Sequence, residues 1–147
     1  MNRYLEIIEK FIDKMGYRDN THYLGTYFYG SSLTGYNNST SDIDLHIVFD
    51  NSDREHIYRG ICYIDGVKIE YFEKTIEDLY LSVNNDIKDR NCAWYSILGT
   101  SKIIDDKQNE LKKLQEHTLT IYENGLPKID KQEIMEYIAI IIIDLKN

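Results

Sequence analysis

Residues 29–49, which read YGSSLTGYNNSTSDIDLHIVF, constrain the fold more than any other part of the chain. A Gly-Ser pair follows an apolar segment, and after a polar loop Asp42 and Asp44 occupy alternate positions of a predicted strand. Because strand side chains alternate between faces, both aspartates lie on one face while Ile43 and Leu45 lie on the other. Asp is rare in strands, and two like charges on one face repel each other. The pattern therefore predicts a strand whose acidic face binds a divalent cation, which we expect to be magnesium.

The composition is that of an ordinary globular protein. The chain has 147 residues, of which 42% are apolar and 29% are charged, so we expect one domain with its own core. No apolar run approaches the roughly 18 residues that a membrane-spanning helix needs, and the charged N-terminus does not resemble a signal peptide. Cys62 and Cys92 lack a metal-ligand spacing. They predict free thiols, and hence a cytoplasmic protein.

The net charge of −8 excludes one broad class of function. Proteins that bind long nucleic acids usually carry basic patches that displace counterions from phosphates. In this chain the basic residues are scattered, and Lys112 and Lys113 are the one adjacent pair. We therefore expect no long nucleic acid as a partner, whereas an acidic surface would attract a cationic small molecule or a basic protein patch.

Apolar spacing and turn residues predict an alternation of helices and strands. Strands are expected at residues 23–29, 42–49, 56–64, 67–72 and 102–104, with Asp65 and Gly66 forming a hairpin turn. Helices are expected at residues 2–15, 75–83, 91–98, 108–124 and from 131 onward. Gly16 is expected to end the first helix, and Thr75 with Asp78 resembles a capping box that begins the second. The first helix is amphipathic, which is typical of a helix that covers a sheet.

The chain resembles a known superfamily at its most constrained stretch. Gly30-Ser31, followed after ten residues by Asp42-Ile43-Asp44, is similar to the core motif of the DNA polymerase beta-like nucleotidyltransferases. The surrounding Gly-Ser-Ser-x-x-Gly and Ser-Asp-Ile-Asp-Leu patterns most resemble the small bacterial branch, which includes aminoglycoside nucleotidyltransferases and minimal nucleotidyltransferase domains. The similarity extends over about residues 23–114, including the ILG…IIDD pattern of residues 97–106. It implies an α/β (α+β) fold in which helices flank a mixed twisted sheet of about four to five strands.

The resemblance also implies an activity and a set of site residues. Two Mg²⁺ ions held by three carboxylates would promote transfer of a nucleoside monophosphate to an acceptor hydroxyl, with ATP as the expected donor and with release of pyrophosphate. Asp42 and Asp44 match the paired metal ligands, while Gly30 and Ser31 match the turn that binds the triphosphate and Ser32 adjoins it. The chemistry is consistent, since Gly permits close approach to a phosphate and Ser hydroxyls donate to its oxygens. Two metal ions can bind the attacking and leaving oxygens of an in-line displacement.

Glu70 is the expected third carboxylate, on a neighbouring strand. Its alternation places Lys68 and Phe72 on the same face, and in the aminoglycoside branch a Glu at the matching place accepts the proton of the acceptor hydroxyl. An alternative stays open, in which Glu70 only pairs with Lys68 on a solvated face. Glu73 is the runner-up for the third carboxylate, although it would lie on the opposite face of the strand.

Four further residues are weaker candidates for the site. His46 continues the face of Asp42 and Asp44, where it could contact the acceptor, although a hydrogen-bonded structural role is favoured. Lys102 and Arg90 are considered for the leaving pyrophosphate, with solvated charges as the alternative. Tyr36 could stack on the nucleobase.

We divide the chain into a catalytic domain at residues 1–125 and a C-terminal helix at residues 126–147. Residues 137–143 are apolar on every side of that helix, so it must be buried, either in a homodimer interface or as the remnant of a helical domain. The leading function is antibiotic modification by a magnesium-dependent nucleotidyltransferase that acts on a small molecule such as an aminoglycoside. One alternative is a toxin–antitoxin nucleotidyltransferase that adenylylates a partner protein, and another is a non-catalytic dimerising module.

Overall fold

The structure, a computed structural model, describes residues 3–29, 42–50, 59–89 and 93–124. Its strands are β1 (Tyr23–Tyr29), β2 (Ile43–Phe49), β3 (Gly60–Ile64), β4 (Val67–Thr75) and β5 (Lys102–Asp106). Its helices are α1 (Arg3–Met15), α2 (Ile76–Asp89), α3 (Ala93–Thr100) and α4 (Glu110–Asn124), with a short 3-10 helix at Tyr17–Asp19. The predicted alternation of helices and strands is confirmed across these residues.

The five strands form one sheet in the order β3-β4-β2-β1-β5. Strands β2 and β4 pair in parallel, and the other three neighbouring pairs are antiparallel. The mixed sheet with flanking helices confirms the predicted fold class. Its central parallel pair matters most for the site, because it places Asp44 directly opposite Glu70.

One face of the sheet is covered by α1. The apolar stripe of this helix buries Ile7, Ile8, Phe11 and Ile12 against the sheet. The sheet residues beneath it alternate with the site residues in sequence, and include Ile43, Leu45, Ile47, Phe49, Val67, Ile69 and Tyr71. The helix ends where Gly16 adopts the left-handed conformation with φ 66°, which is the predicted C-terminal stop.

The opposite face packs against α2, α3 and α4. A second core forms there from Leu24, Tyr27, Val48, Leu79, Val83, Leu98, Leu111 and Leu114. Val48 lies towards the end of β2, whereas the acidic residues lie at its beginning. The helices therefore cover the far end of this face, and the acidic end lies beside them.

The hairpin between β3 and β4 has the predicted turn. Asp65 and Gly66 both have positive φ, at 50° and 81°, as a two-residue type I′ turn requires. This turn fixes the register, so that Ile64 pairs with Val67 and Ile61 with Glu70. Strand β3 begins at Gly60; the earlier part of the predicted strand, residues 56–58, lies outside the described residues.

Four of the described elements extend beyond their predicted ends, and two of them do so by only two residues: β5 ends at Asp106 rather than at residue 104, and α3 at Thr100 rather than at residue 98. Strand β4 continues to Thr75 rather than ending at residue 72, and α2 continues to Asp89 rather than ending at residue 83. The predicted start of α2 is confirmed, since Thr75 Oγ1 accepts a hydrogen bond from the Asp78 N–H at 3.1 Å.

Several predictions fall outside the described residues, namely those on Gly30, Ser31, Ser32, Tyr36, Arg90, Cys92 and the C-terminal helix at residues 126–147. Cys62 is a free thiol, as predicted. Among the described helices, none combines the length and the apolar character that crossing a membrane requires.

Candidate active site

The parallel pairing of β2 and β4 brings two of the predicted acidic residues side by side. Asp44 and Glu70 are register partners on adjacent strands, whose backbones lie about 4.8 Å apart. Asp42 immediately precedes β2, two residues before Asp44, and so belongs to the same face. The three carboxylates thus lie on one face of the sheet, beside the helical layer, although Glu70 follows Asp44 by 26 residues in the chain.

Asp44 is the most perturbed acid of this group. Its burial, together with the nearby charges of Glu70 and Asp42, raises the pKa of its carboxyl to about 6, although Lys68 acts in the other direction. Within the described residues no hydrogen-bond donor contacts this carboxylate. A carboxylate in such an environment is stabilised by any cation that comes close.

The two outer carboxylates, in contrast, contact basic side chains. Arg59 forms a fork on Glu70, with Nε 2.9 Å from Oε1 and Nη2 3.3 Å from Oε2, and this hydrogen bonding lowers the pKa of Glu70. Lys68 Nζ lies 3.6 Å from Asp42 Oδ2. The alternative in which Glu70 only pairs with a basic residue therefore changes in one respect, because the hydrogen-bonded partner of Glu70 is Arg59 rather than Lys68.

These contacts affect the predicted metal site. In the part of the chain that the structure describes, no three Asp, Glu, His or Cys side chains converge closely enough to bind one ion as they stand. The strands supply three carboxylates, but Arg59 holds one and Lys68 contacts another. The donor set itself fits magnesium, because it consists of carboxylate oxygens around Asp44, whose pKa is raised by burial and then by the charges of Glu70 and Asp42.

His46 lies behind the acids, in an aromatic environment. It is 4% exposed, and its Nδ1 forms a hydrogen bond with the hydroxyl of Tyr27. Its ring contacts those of Tyr29, Phe72 and Trp94 at centroid distances of 4.5–5.6 Å. Burial, and secondarily Lys74, lowers the pKa of His46 to about 3. His46 is therefore neutral and hydrogen-bonded, which agrees with the structural role favoured for it.

Lys102 does not join this group. It pairs with Phe28 in the register of β1 and β5, and its neighbour Ile104 packs in the core beneath α1. Lys102 lines a cavity of about 300 Å³ with Leu5 and Glu9 of α1. The expectation that Lys102 contacts the pyrophosphate is not supported, because strand alternation directs it to the sheet face opposite Asp44.

The structure adds residues that the sequence did not single out. Tyr29 is the register partner of Asp44 on β1, and its pKa is raised by burial and by the charges of Asp44 and Glu70. Arg59 could have been found from the hairpin, because the Asp65-Gly66 turn sets Ile61 opposite Glu70 and alternation then places Arg59 on the same face.

Comparisons with known proteins agree with this geometry. A family model described as a nucleotidyltransferase domain matches residues 8–140. A search of curated proteins found no match. Among solved structures, a nucleotidyltransferase-like protein from Exiguobacterium sibiricum 255-15 superposes with a TM-score of 0.60 at 12% sequence identity, which shows a shared fold. The match covers 85% of this chain and 40% of that protein, so the chain spans less than half of its length. From the family match over most of its residues, the chain belongs to the nucleotidyltransferase domain family.

Proposed function

We propose that the protein is a magnesium-dependent nucleotidyltransferase that moves AMP from ATP to a hydroxyl of a small cationic molecule such as an aminoglycoside, releasing pyrophosphate. The observation that carries this proposal is the register of the central parallel strands, which sets Asp44 against Glu70 with Asp42 beside them. Membership of the nucleotidyltransferase family supports the reaction class. The identities of the acceptor and of the nucleotide are part of the proposal and do not follow from the family.

Each site residue has a role in the proposed reaction. Bound Mg²⁺ would neutralise phosphate oxygens and align the attacking and leaving oxygens. Asp42, Asp44 and Glu70 would hold it, and a carboxylate oxygen of Glu70 would accept the proton of the acceptor hydroxyl. Because phosphoryl-type transfer depends mainly on positioning and charge stabilisation, no covalent nucleophile is needed. Gly30, Ser31 and Ser32 would bind the triphosphate.

The charge of the molecule favours a cationic acceptor. The net charge is −8, and the site face carries a cluster of acids. Negative surfaces raise the local concentration of cationic substrates. An aminoglycoside, which combines several amines with hydroxyl groups, has this chemistry, so we propose a role in antibiotic resistance inside the cytoplasm.

A second candidate acceptor is a hydroxyl on a partner protein. Ile61 and Tyr63 are 47% and 64% exposed on the edge strand β3, on the same face as Glu70. Exposed apolar side chains beside a site are typical of surfaces that contact another protein. This arrangement suits the nucleotidyltransferase of a toxin–antitoxin pair. A non-catalytic module would instead dimerise through the predicted helix at residues 126–147, which lies outside the described residues, and would not need the acids.

Thermal unfolding with magnesium and each nucleoside triphosphate tests the shared part of these proposals. For the wild type we expect ATP with Mg²⁺, at a hundredfold its dissociation constant, to add roughly 2.7 kcal/mol of stability. Asp44→Asn should lose this increment, because one ligand of the cation is removed. Asp13→Asn, at an exposed position on α1, is the control and should retain it.

An increment that persists in Asp44→Asn, or that does not require magnesium, would contradict the proposal and favour the non-catalytic module. Once the nucleotide is known, transfer of labelled AMP distinguishes the acceptors. Label on an aminoglycoside supports the first, and label on a co-expressed basic partner protein supports the second.

A further inference from the structure

Arg59 occupies both oxygens of the carboxylate that the proposed cation needs. It precedes β3 on the face that Ile61 and Glu70 share, and its guanidinium forms a fork with contacts of 2.9 Å and 3.3 Å. A bidentate Arg–carboxylate pair fixes the orientation of both groups. In the described structure the Glu70 carboxylate is therefore oriented towards the Arg59 guanidinium.

The three acids differ in how they are neutralised. The two outer acids each contact a basic side chain, Arg59 on Glu70 and Lys68 on Asp42. The central acid, Asp44, has no hydrogen-bonded partner among the described residues. A divalent ion bound between Asp44 and Glu70 would lie close to the Arg59 guanidinium, and the two like charges would repel each other.

We propose that Arg59 is a built-in competitor for the divalent cation: it holds Glu70 in the metal-free site and leaves Glu70 when the cation binds. This inference rests on the proposed function, since it assumes that Glu70 is a metal ligand. It goes further in assigning to Arg59, a residue outside the acidic motif, control over how tightly the site binds metal.

The exposure of Arg59 makes the exchange feasible. Its side chain is 52% exposed, whereas that of Glu70 is 21% exposed. Exposed ion pairs contribute little to stability, so the cation can displace Arg59 at a modest cost in affinity. The released guanidinium stays on the face of β3 and β4 that bears the acids, where it can donate hydrogen bonds to phosphate oxygens.

Metal titrations without nucleotide test this competition. Mn²⁺ and Mg²⁺ would be titrated by calorimetry into the whole chain, as wild type and as Arg59→Gln, Arg59→Lys and Lys113→Gln. Arg59→Gln should lower the dissociation constant of the metal by about fivefold, which is the upper end of the range expected when an exposed ion pair is lost. Arg59→Lys, which keeps the charge without the fork, should lower it less. Lys113→Gln removes a comparable ion pair on α4 and should leave it unchanged.

A second measurement follows Arg59 itself. The Nε–H resonance of Arg59 should shift when Mg²⁺ is added to the wild type and should stay in place in Asp44→Asn. Equal or weaker metal binding by Arg59→Gln, with an unmoved Arg59 resonance, would overturn the competition and leave the proposed function intact. If neither the wild type nor Arg59→Gln bound metal, both the competition and the proposed metal site would be overturned.

Discussion

Glu73 illustrates how hydrogen bonding accommodates an acid in the core. It lies in β4 on the face beneath α1, is 4% exposed, and accepts a hydrogen bond from the hydroxyl of Tyr17 at 2.9 Å. A buried carboxyl without such a donor would be costly, because it exchanges water for an apolar environment. Tyr17 therefore allows β4 to continue through a position where the sequence predicts its end.

Removing this hydroxyl should destabilise the fold. We expect Tyr17→Phe to lower the free energy of unfolding by about 1–3 kcal/mol, because it leaves the Glu73 carboxyl short of a buried donor. Chemical denaturation measures the change. The same substitution at Tyr63, which is 64% exposed, is the control and should have no effect beyond about 0.5 kcal/mol. Equal effects of the two variants would show that the hydrogen bond contributes nothing specific.

The site could be predicted from the sequence to the level of strand faces. Alternation placed Asp42, Asp44 and Glu70 on one side, and the structure has the second and third as register partners. The contacts of their side chains could not be predicted, because they depend on register and rotamers. The Arg59 fork needs the register of the hairpin, and the burial of His46 needs Trp94 of α3 to pack over it.

Among the elements, β1 and β5 approach each other unusually closely at one residue. A Cβ built on Gly25 would lie 2.0 Å from the backbone oxygen of Asp105 and 3.0 Å from Leu111. Real Cβ atoms do not come this near a backbone oxygen. Gly25 therefore permits the pairing of the two strands where their register shifts nearby.

Gly25→Ala should loosen β5 from the sheet. We expect a loss of about 1–3 kcal/mol or more, because strand backbone rather than a flexible side chain must move. Amide hydrogen exchange should also accelerate at Lys107, whose N–H donates to the Leu24 carbonyl at 2.8 Å.

The control is Gly99→Ala, in α3. Its added Cβ would lie 3.3 Å from the tip of Leu119, which is 37% exposed and can move aside. Alanine also favours helix over glycine by up to about 1 kcal/mol, so this variant should be neutral or stabilising. A neutral result for Gly25→Ala would mean that the close approach is relieved without cost.

Element boundaries were predictable where the signal was local. The αL stop at Gly16, the Asp65-Gly66 turn and the Thr75 cap all depend on neighbouring residues, and all are confirmed. The end of α2 depends on a distant contact, since Asp86 is buried and accepts the Trp94 backbone N–H at 2.6 Å. A polar run such as NNDIKD gives no local indication that the helix continues through it.

At the scale of the whole molecule, a single sheet separates two cores, and both contain tyrosine. Tyr23 packs on the side of α1 and Tyr27 on the side of α2–α4, each 1% exposed. Burial raises the pKa of both hydroxyls above 10. The order of the strands in the sheet was not predictable from the sequence, because apolar periodicity indicates where strands lie in the chain but not which strands pair with each other.

These tyrosines should make the fold sensitive to alkali. Because their folded pKa values are raised, the stability they contribute is complete below the unfolded pKa of about 10 and is lost as the pH rises above it. Each should contribute a loss of up to about 1.4 kcal/mol per pH unit. Urea midpoints at about pH 9 and about pH 11 measure this.

Tyr27→Phe separates this effect from the titration of lysines, because it removes one of the two phenols and should make the decline with pH shallower. Tyrosinate absorbance should show the buried groups ionising only together with unfolding. A midpoint that stays constant across this range, or a slope unchanged in Tyr27→Phe, would contradict the assignment.

Counting along the two central strands separates what the molecule does from what keeps it folded. In β2 and β4 the odd-numbered residues, such as Ile43 and Ile69, lie beneath α1, while Asp44 and Glu70 are even-numbered. A descendant of this protein could therefore acquire a new substrate by changing the even positions at the beginnings of these strands singly, while the odd positions and the buried Val48 continue to specify the fold. Inserting or deleting one residue within a strand would instead move every following side chain to the opposite face, so that acidic side chains would enter the core. Evolution of this site should consequently proceed by substitution, with changes in length confined to the ends of the strands.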